Sequence, residues 1–150
     1  MRTFYRHTQI GYAIGAAFLL AATSITASIA TTPSPRSLLG VLFGLALGLV
    51  LFPSLTTEVD DRYVRCYIGF GVIRRRVPLS EISGVSVVRN ACLFGWGLRW
   101  IPNGWLWNVS GFNAVELRLS NGRRFRIGTD EPEKLHATLA GLLEAQQRLG

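Results

Sequence analysis

The sequence predicts a two-helix transmembrane hairpin over residues 1–55, then a mainly-β barrel or sandwich of about seven strands over residues 56–150, closed by a C-terminal α-helix. Three observations lead there. Hydrophobic residues make up 49% of the chain, more than a soluble core of this size requires. They are unevenly placed: residues 1–55 carry only Arg2, Arg6 and Arg36 as charged side chains, and all nine acidic residues lie beyond Leu55. Past that point the pattern changes to short alternating segments punctuated by Gly, Asn and Asp, and it ends in one amphipathic stretch.

Residues 1–9 form a short basic, aromatic lead containing Arg2, Phe4, Tyr5, Arg6 and His7. Ile10 to Ala30 then runs without a charge and, at 1.5 Å per residue, reaches roughly 30 Å, enough to cross a bilayer core. Thr31-Thr-Pro-Ser-Pro-Arg-Ser37 breaks the run, and Leu38 to Leu55 is a second, shorter one, with Pro53 near its end. A cleaved signal peptide is the rival reading, because Ser28-Ile29-Ala30 resembles a cleavage site. The first run is longer than a signal core, and a second follows at once, so a hairpin with spans near 10–30 and 38–55 is expected. Arg2 and Arg6 precede it, Arg62 and Arg65 follow it, and only Arg36 marks the turn. That bias places both termini and the β domain on the cytoplasmic side of an inner or plasma membrane. Two unpaired cysteines, Cys66 and Cys92, suit the same side, and Cys66 reads as a buried strand residue.

The spans carry ridges of small residues. Gly40, Gly44 and Gly48 lie on one face of the second, and Gly11 and Gly15 on the first. Small residues let helix backbones approach closely in lipid, so these ridges are expected to pack the two spans together or to pair two copies of the chain. No ionisable residue lies inside either span, which argues against an ion path.

From Leu55 onward the strands are short. Leu55 to Val59 is followed by a turn at Asp60-Asp61. Tyr63 to Ile68 alternates Val64, Cys66 and Ile68 against Tyr63, Arg65 and Tyr67. Gly69-Phe-Gly71 turns the chain into Val72–Val77, Pro78–Ile82 is a turn or one helical turn, and Val85–Arg89 is the next strand. All four tryptophans then fall between residues 96 and 107. Asn103-Gly104 and Asn121-Gly122 signal tight hairpins, the second joining Ala114–Ser120 to Arg123–Ile127. Thr129 or Asp130 can cap a final helix whose first turn holds Pro132, with Glu131 and Glu133 at its positive end. Leu135, Leu139, Leu142, Leu143 and Leu149 form its apolar stripe.

Several of these residues also point to a family. Gly97-Leu-Arg-Trp-Ile-Pro, Gly104-Trp105, Gly111, Ala114-Val-Glu-Leu, and Gly122-Arg-Arg-Phe-Arg-Ile-Gly-Thr-Asp-Glu-Pro132 resemble the bacterial pleckstrin-homology-like (PH-like) domain membrane proteins. In that family a membrane hairpin with two N-terminal spans precedes one PH-like domain. The resemblance implies seven strands in two near-orthogonal sheets with a closing helix, and no enzyme activity. Where phosphoinositide-binding PH domains carry basic residues around the first hairpin, this chain has Glu58-Val-Asp-Asp61, which would repel a phosphate.

The net charge of +7, carried almost wholly by arginine, favours anionic partners. Arg74 and Arg76 share a strand face, with Arg75 opposite, and Arg123, Arg124 and Arg126 flank the last hairpin; these are the candidate lipid contacts. Trp105 and Trp107 share a face, and Trp100 is expected opposite one of them. Phe94, Trp96, Arg99, Trp100 and Trp105 make up the candidate interaction surface, at the membrane interface or in a protein contact. No catalytic motif, metal-ligand spacing or cofactor loop is present, so no cofactor is expected. The expected function is a non-catalytic, membrane-anchored interaction or scaffold module. Its partners would be the lipid bilayer together with another membrane protein or a second copy in a homo-oligomer. Sensing anionic phospholipid and serving as an auxiliary transporter subunit are the alternatives, and the membrane hairpin argues against nucleic acid.

Overall fold

The computed structural model describes residues 2–29, 31, 36–51, 54–91 and 95–149. Expectations placed on Ala30, the Pro33 and Pro35 turn, Pro53, Cys92 and Phe94 lie outside these residues, as does the side chain of Leu149.

Two sheets and a helix enclose the core. The first sheet is a meander of β1 (Thr3–Ile10), β2 (Ser54–Asp60), β3 (Tyr63–Ile68) and β4 (Ile73–Pro78), each antiparallel to the next. A 3-10 turn at Leu79–Glu81 leads into the second sheet. Its strands are β5 (Ile82–Arg89), β6 (Gly97–Ile101), β7 (Gly104–Asn108), β8 (Asn113–Leu119) and β9 (Arg124–Gly128), in the order β5-β8-β9-β7-β6. The pairing of β7 with β9 is parallel and the rest are antiparallel. Nine strands are thus described where about seven were expected. Among the described residues each sheet keeps two unpaired edges, so the sheets face each other as a sandwich rather than closing into a barrel.

The inner faces follow the period of two. Val59, Val64, Cys66, Ile68 and Val77 from the first sheet meet Trp107, Val115, Leu117, Phe125 and Ile127 from the second. The last helix, α3 (Pro132–Leu149), closes the core with Leu135 and Leu139, four residues apart and both fully buried. Each such side chain contributes about 1.5–3 kcal/mol relative to exposure. The Glu131 carbonyl accepts the first helical N–H, from Leu135 at 3.2 Å, so Glu131 rather than Thr129 or Asp130 holds the cap position, and the Thr129 hydroxyl accepts the Glu131 N–H at 3.1 Å just ahead of it.

The largest departure from expectation is at the N-terminus. Thr3–Ile10 is not a basic lead but the edge strand of the first sheet, in register from Arg6 opposite Glu58 to Ile10 opposite Ser54. The β domain therefore begins ahead of the apolar helices, which stand between β1 and β2 as an insertion. His7 fixes this strand to the start of α3, with Nε2 2.6 Å from Asp130 Oδ1 and Nδ1 3.5 Å from Glu131 Oε2.

The insertion is a pair of apolar helices, α1 (Tyr12–Ile29) and α2 (Arg36–Leu51). Only α1 is long and apolar enough to cross a membrane by length and composition. Among the described residues the second expected span comprises 16 helical residues, or roughly 24 Å at 1.5 Å per residue, and β2 begins at Ser54. Their packing uses part of the glycine ridge. A Cβ on Gly48 would sit 2.7 Å from the Phe18 ring, and one on Gly15 would sit 4.0 Å from Leu49 Cδ1. Gly40 and Gly44 have nothing within 4 Å of that position, and Gly11 lies at the strand–helix junction, where its carbonyl accepts the Gly15 N–H at 2.8 Å. Gly40 and Gly44 are therefore outside this helix contact, which leaves the pairing of two copies as the other expected use of that ridge.

A disulfide between Gly15→Cys and Leu49→Cys, with Cys66 and Cys92 replaced, reports that contact. Adding Gly48→Leu is expected to abolish most of the cross-link, since overpacking here costs about 1–3 kcal/mol. Gly44→Leu should leave it unchanged, and equal cross-linking in both variants would overturn the assignment.

Candidate functional site

Register decides what each tryptophan does. Trp100 on β6 stands directly opposite Trp105 on β7, and their rings meet edge to face at 5.0 Å and 78°. Trp107, two residues on and on the same face, turns edge-on to Phe125 at 5.6 Å and is buried core. Trp105 is exposed at 37% and Trp100 at 70%. One strand face thus runs from the core out to solvent, ending on an aromatic pair.

That pair opens onto a cleft of about 580 Å³. Its remaining walls are Arg75, Arg123, Arg124 and the turns holding Asn103 and Asn121. Arg75 lies on the inner face of β4, as the alternation predicts, with its guanidinium 4.5 Å above the Phe125 ring. Burial pushes this guanidinium below its ordinary range; Cys66 opposes the shift and the like charge of Arg123 adds to it. Behind it the Cys66 thiol is pushed up to about 12 by burial, against a hydrogen bond with Thr57 and the charge of Arg75. Cys66 is therefore an inert core residue. Arg75 and Arg123 repel each other across the cleft, so an anionic group bound there would relieve them, whereas Arg124 lines the cleft with its guanidinium toward Glu116. The aromatic pair beside them offers apolar and stacking surface.

Asn-Gly marks a hairpin at both turns of the cleft, but at neither are Asn and Gly the two loop residues of a tight turn. Between β6 and β7 the two loop residues are Pro102 and Asn103, with Asn103 at φ 64°, the pattern of a type II turn. Gly104 is already strand, opposite Ile101. At the second turn only Gly122 is left-handed, at φ 79°, and its N–H reaches the Leu119 carbonyl at 2.9 Å.

The expected surface around Trp96, Arg99 and Trp100 is split by the fold. Trp96 and Arg99 line a separate cleft of about 430 Å³ against Ala13, Ile14, Ala17 and Phe18 of α1. The Trp96 indole donates to the Gly111 carbonyl at 3.3 Å and tilts against Phe112. Arg99 faces away from Trp100 because neighbours on a strand point to opposite sides. Trp100 and Trp105 form the other cleft, and Phe94 lies outside the described residues.

The basic candidates divide as well. Arg74 and Arg76 are exposed on the outer face of the first sheet, Arg76 with its guanidinium 5.0 Å from the Tyr63 ring centroid. Arg126 is not available to lipid. Its Nε donates to Glu116 Oε2 at 2.7 Å and its Nη1 to Asn90 Oδ1 at 3.3 Å. Glu116 also stands 3.7 Å from Arg124 and 3.9 Å from Arg118. The acidic turn is likewise structural. Asp60 accepts backbone N–H groups from Arg62 and Tyr63 and is paired with Arg65. Burial raises its carboxyl, but these donors and the Arg65 charge outweigh that and hold it below the usual range. Glu58 pairs with Arg6 at 3.1 Å.

Two important residues were outside the sequence candidates. Arg75 could have been found as an arginine on the apolar side of its strand. Glu116 could have been found as the one acid between Val115 and Leu117, facing away from them. Among the described residues, no group of His, Cys, Asp and Glu converges as a metal set would. No protein-family model matches the sequence, and no curated protein or solved structure matches it either.

Proposed function

We propose that this chain is a non-catalytic, PH-like binding module held at the cytoplasmic face of a membrane by its apolar helices. Its cleft receives an extended segment of a protein partner, either another membrane protein or a second copy of the chain. The observation that carries this reading is Trp100, a large aromatic residue left 70% exposed, paired with Trp105 at the mouth of an arginine-lined cleft. Exposed tryptophan beside arginine is the composition of a binding hot spot. β6 is also the edge of its sheet, so its outer backbone groups are open to an added strand. A segment with carboxylates for Arg75 and Arg123 and an apolar side chain for the tryptophans would fit.

A photo-cross-linking residue placed at Trp100 in the full chain, expressed in membranes with two different epitope tags, tests this. The expected result is a discrete protein adduct that Arg123→Glu, on an exposed side chain, removes. An adduct joining both tags identifies a second copy. Adducts to lipid alone would sink the protein-binding reading in favour of a lipid sensor. The exposed pair Arg74 and Arg76 supports that second reading. An auxiliary transporter role rests on the helices alone and gains no site.

A further inference from the structure

The geometry points to a third membrane contact: the β3–β4 turn, Gly69 to Val72, dips into the lipid surface beside the helices. This inference rests on reading α1 as a membrane helix. Register fixes where the turn lies. Ile10, the last residue of β1, pairs with Ser54, the first strand residue after α2, so both helices leave the same end of the first sheet. Leu55 pairs with Ile68, and the Gly69 N–H donates to the Ser54 carbonyl at 2.8 Å. The turn is therefore at that end too, hydrogen-bonded to the first residue of β2.

Its composition suits lipid and not water. Phe70 is 81% exposed, the most exposed of the large hydrophobic side chains among the described residues, and Val72 is 60% exposed. Gly69 and Gly71, at φ 58° and 87°, fold the backbone tightly and leave Phe70 at the tip. Across the same end, Tyr12 and Ile10 are exposed as well. The opposite end of the sheet, where β2 turns into β3, carries Asp60, Asp61 and Arg62 instead. One sheet thus has an apolar end and a charged end, and the apolar helices are attached to the apolar one.

A bilayer is the occupant this polarity fits, because the helices rooted at this end hold the turn against whatever surrounds them. Amphipathic elements at an interface bury their apolar side roughly 5–10 Å into the headgroup–acyl boundary. Arg74, exposed two residues beyond Val72, rises roughly 7 Å along β4 at strand spacing. That places a guanidinium at headgroup depth while Phe70 and Val72 reach the first acyl carbons.

The test uses the full chain in vesicles of phosphatidylcholine and phosphatidylglycerol, with Cys66 and Cys92 replaced. A single environment-sensitive fluorophore is attached at Phe70→Cys, at Asp61→Cys or at Leu20→Cys, and quenched by lipids labelled near the headgroup or deep in the chain. Quenching by the shallow label is expected to be about threefold stronger at position 70 than at position 61. A water-exposed, unquenched probe at position 70 alongside deep quenching at position 20 overturns the third contact and leaves α1 in the membrane. A blue-shifted probe at position 70 without lipid quenching shows a protein covering the turn and also overturns it. An unquenched probe at position 20 removes the premise, and the proposal falls with it. Because Phe70 is solvent-exposed, the cysteine does not threaten the fold.

Discussion

Replacing Glu116 with alanine is expected to lower the unfolding free energy by about 3–5 kcal/mol, the usual cost of removing one partner from a buried ion pair. The glutamate side chain is only 3% exposed and sits amid three arginines, Arg118, Arg124 and Arg126. Arg118 and Arg124 are largely in water and would lose little, less than about 1 kcal/mol each. Arg126 decides the outcome. Its side chain is 18% exposed, and without Glu116 its one remaining hydrogen-bond acceptor among the described contacts is the side-chain Oδ1 of Asn90 at 3.3 Å. Glu116→Gln keeps an acceptor and gives up the charge, so its cost should fall to about 1–3 kcal/mol. Chemical denaturation of the full chain in detergent, followed by tryptophan fluorescence, measures the order. A Glu116→Ala loss below about 1 kcal/mol would show that water, rather than protein, satisfies this network.

The same network shows what the sequence could and could not convey. Period-two alternation was enough to place Val64, Cys66 and Ile68 inward, to separate Arg75 from Arg74 and Arg76, and to set the leucines of α3 on one face. These are local facts about side-chain direction. Pairing over distance is a different matter. β1 was missed because its inward residues are Tyr5, His7 and Gln9, which do not read as an apolar face, and because its partner β2 begins at Ser54, beyond both helices. Tyr5 is nevertheless buried, its hydroxyl pushed up to about 12 by that burial. The second sheet hid its order in the same way. Nothing local tells β7 to run parallel to β9, yet that pairing brings Trp105 and Arg124 to one cleft. The tryptophan surface was legible as composition but not as geometry, since strand direction sends Arg99 toward α1 and Trp100 toward Arg75.

Asn103-Gly104 carries the sharpest case of a correct signal with a different cause, and it yields the second large effect. Gly104→Ala is expected to destabilise the chain on the order of 3 kcal/mol and to disperse the Trp100–Trp105 pair. The glycine is not needed for a left-handed conformation, because Asn103 supplies the positive φ of the turn. It is needed for contact. A Cβ there would lie 1.6 Å from the Arg124 carbonyl oxygen and 2.6 Å from its carbonyl carbon. Both are backbone atoms of the paired strand, so no rotamer change relieves the clash and β7 must move away from β9. Arg124 N also donates to the Asn103 carbonyl at 2.7 Å, a bond that the same displacement breaks. Gly122 provides the control. It is left-handed, but a Cβ there meets nothing within 4 Å, so Gly122→Ala should cost only about 1 kcal/mol of backbone strain. Circular dichroism of the coupled indoles reports the pair directly, and denaturation reports the stability. If Gly104→Ala keeps both the indole coupling and the native midpoint, the close approach of β7 and β9 is not what builds the cleft.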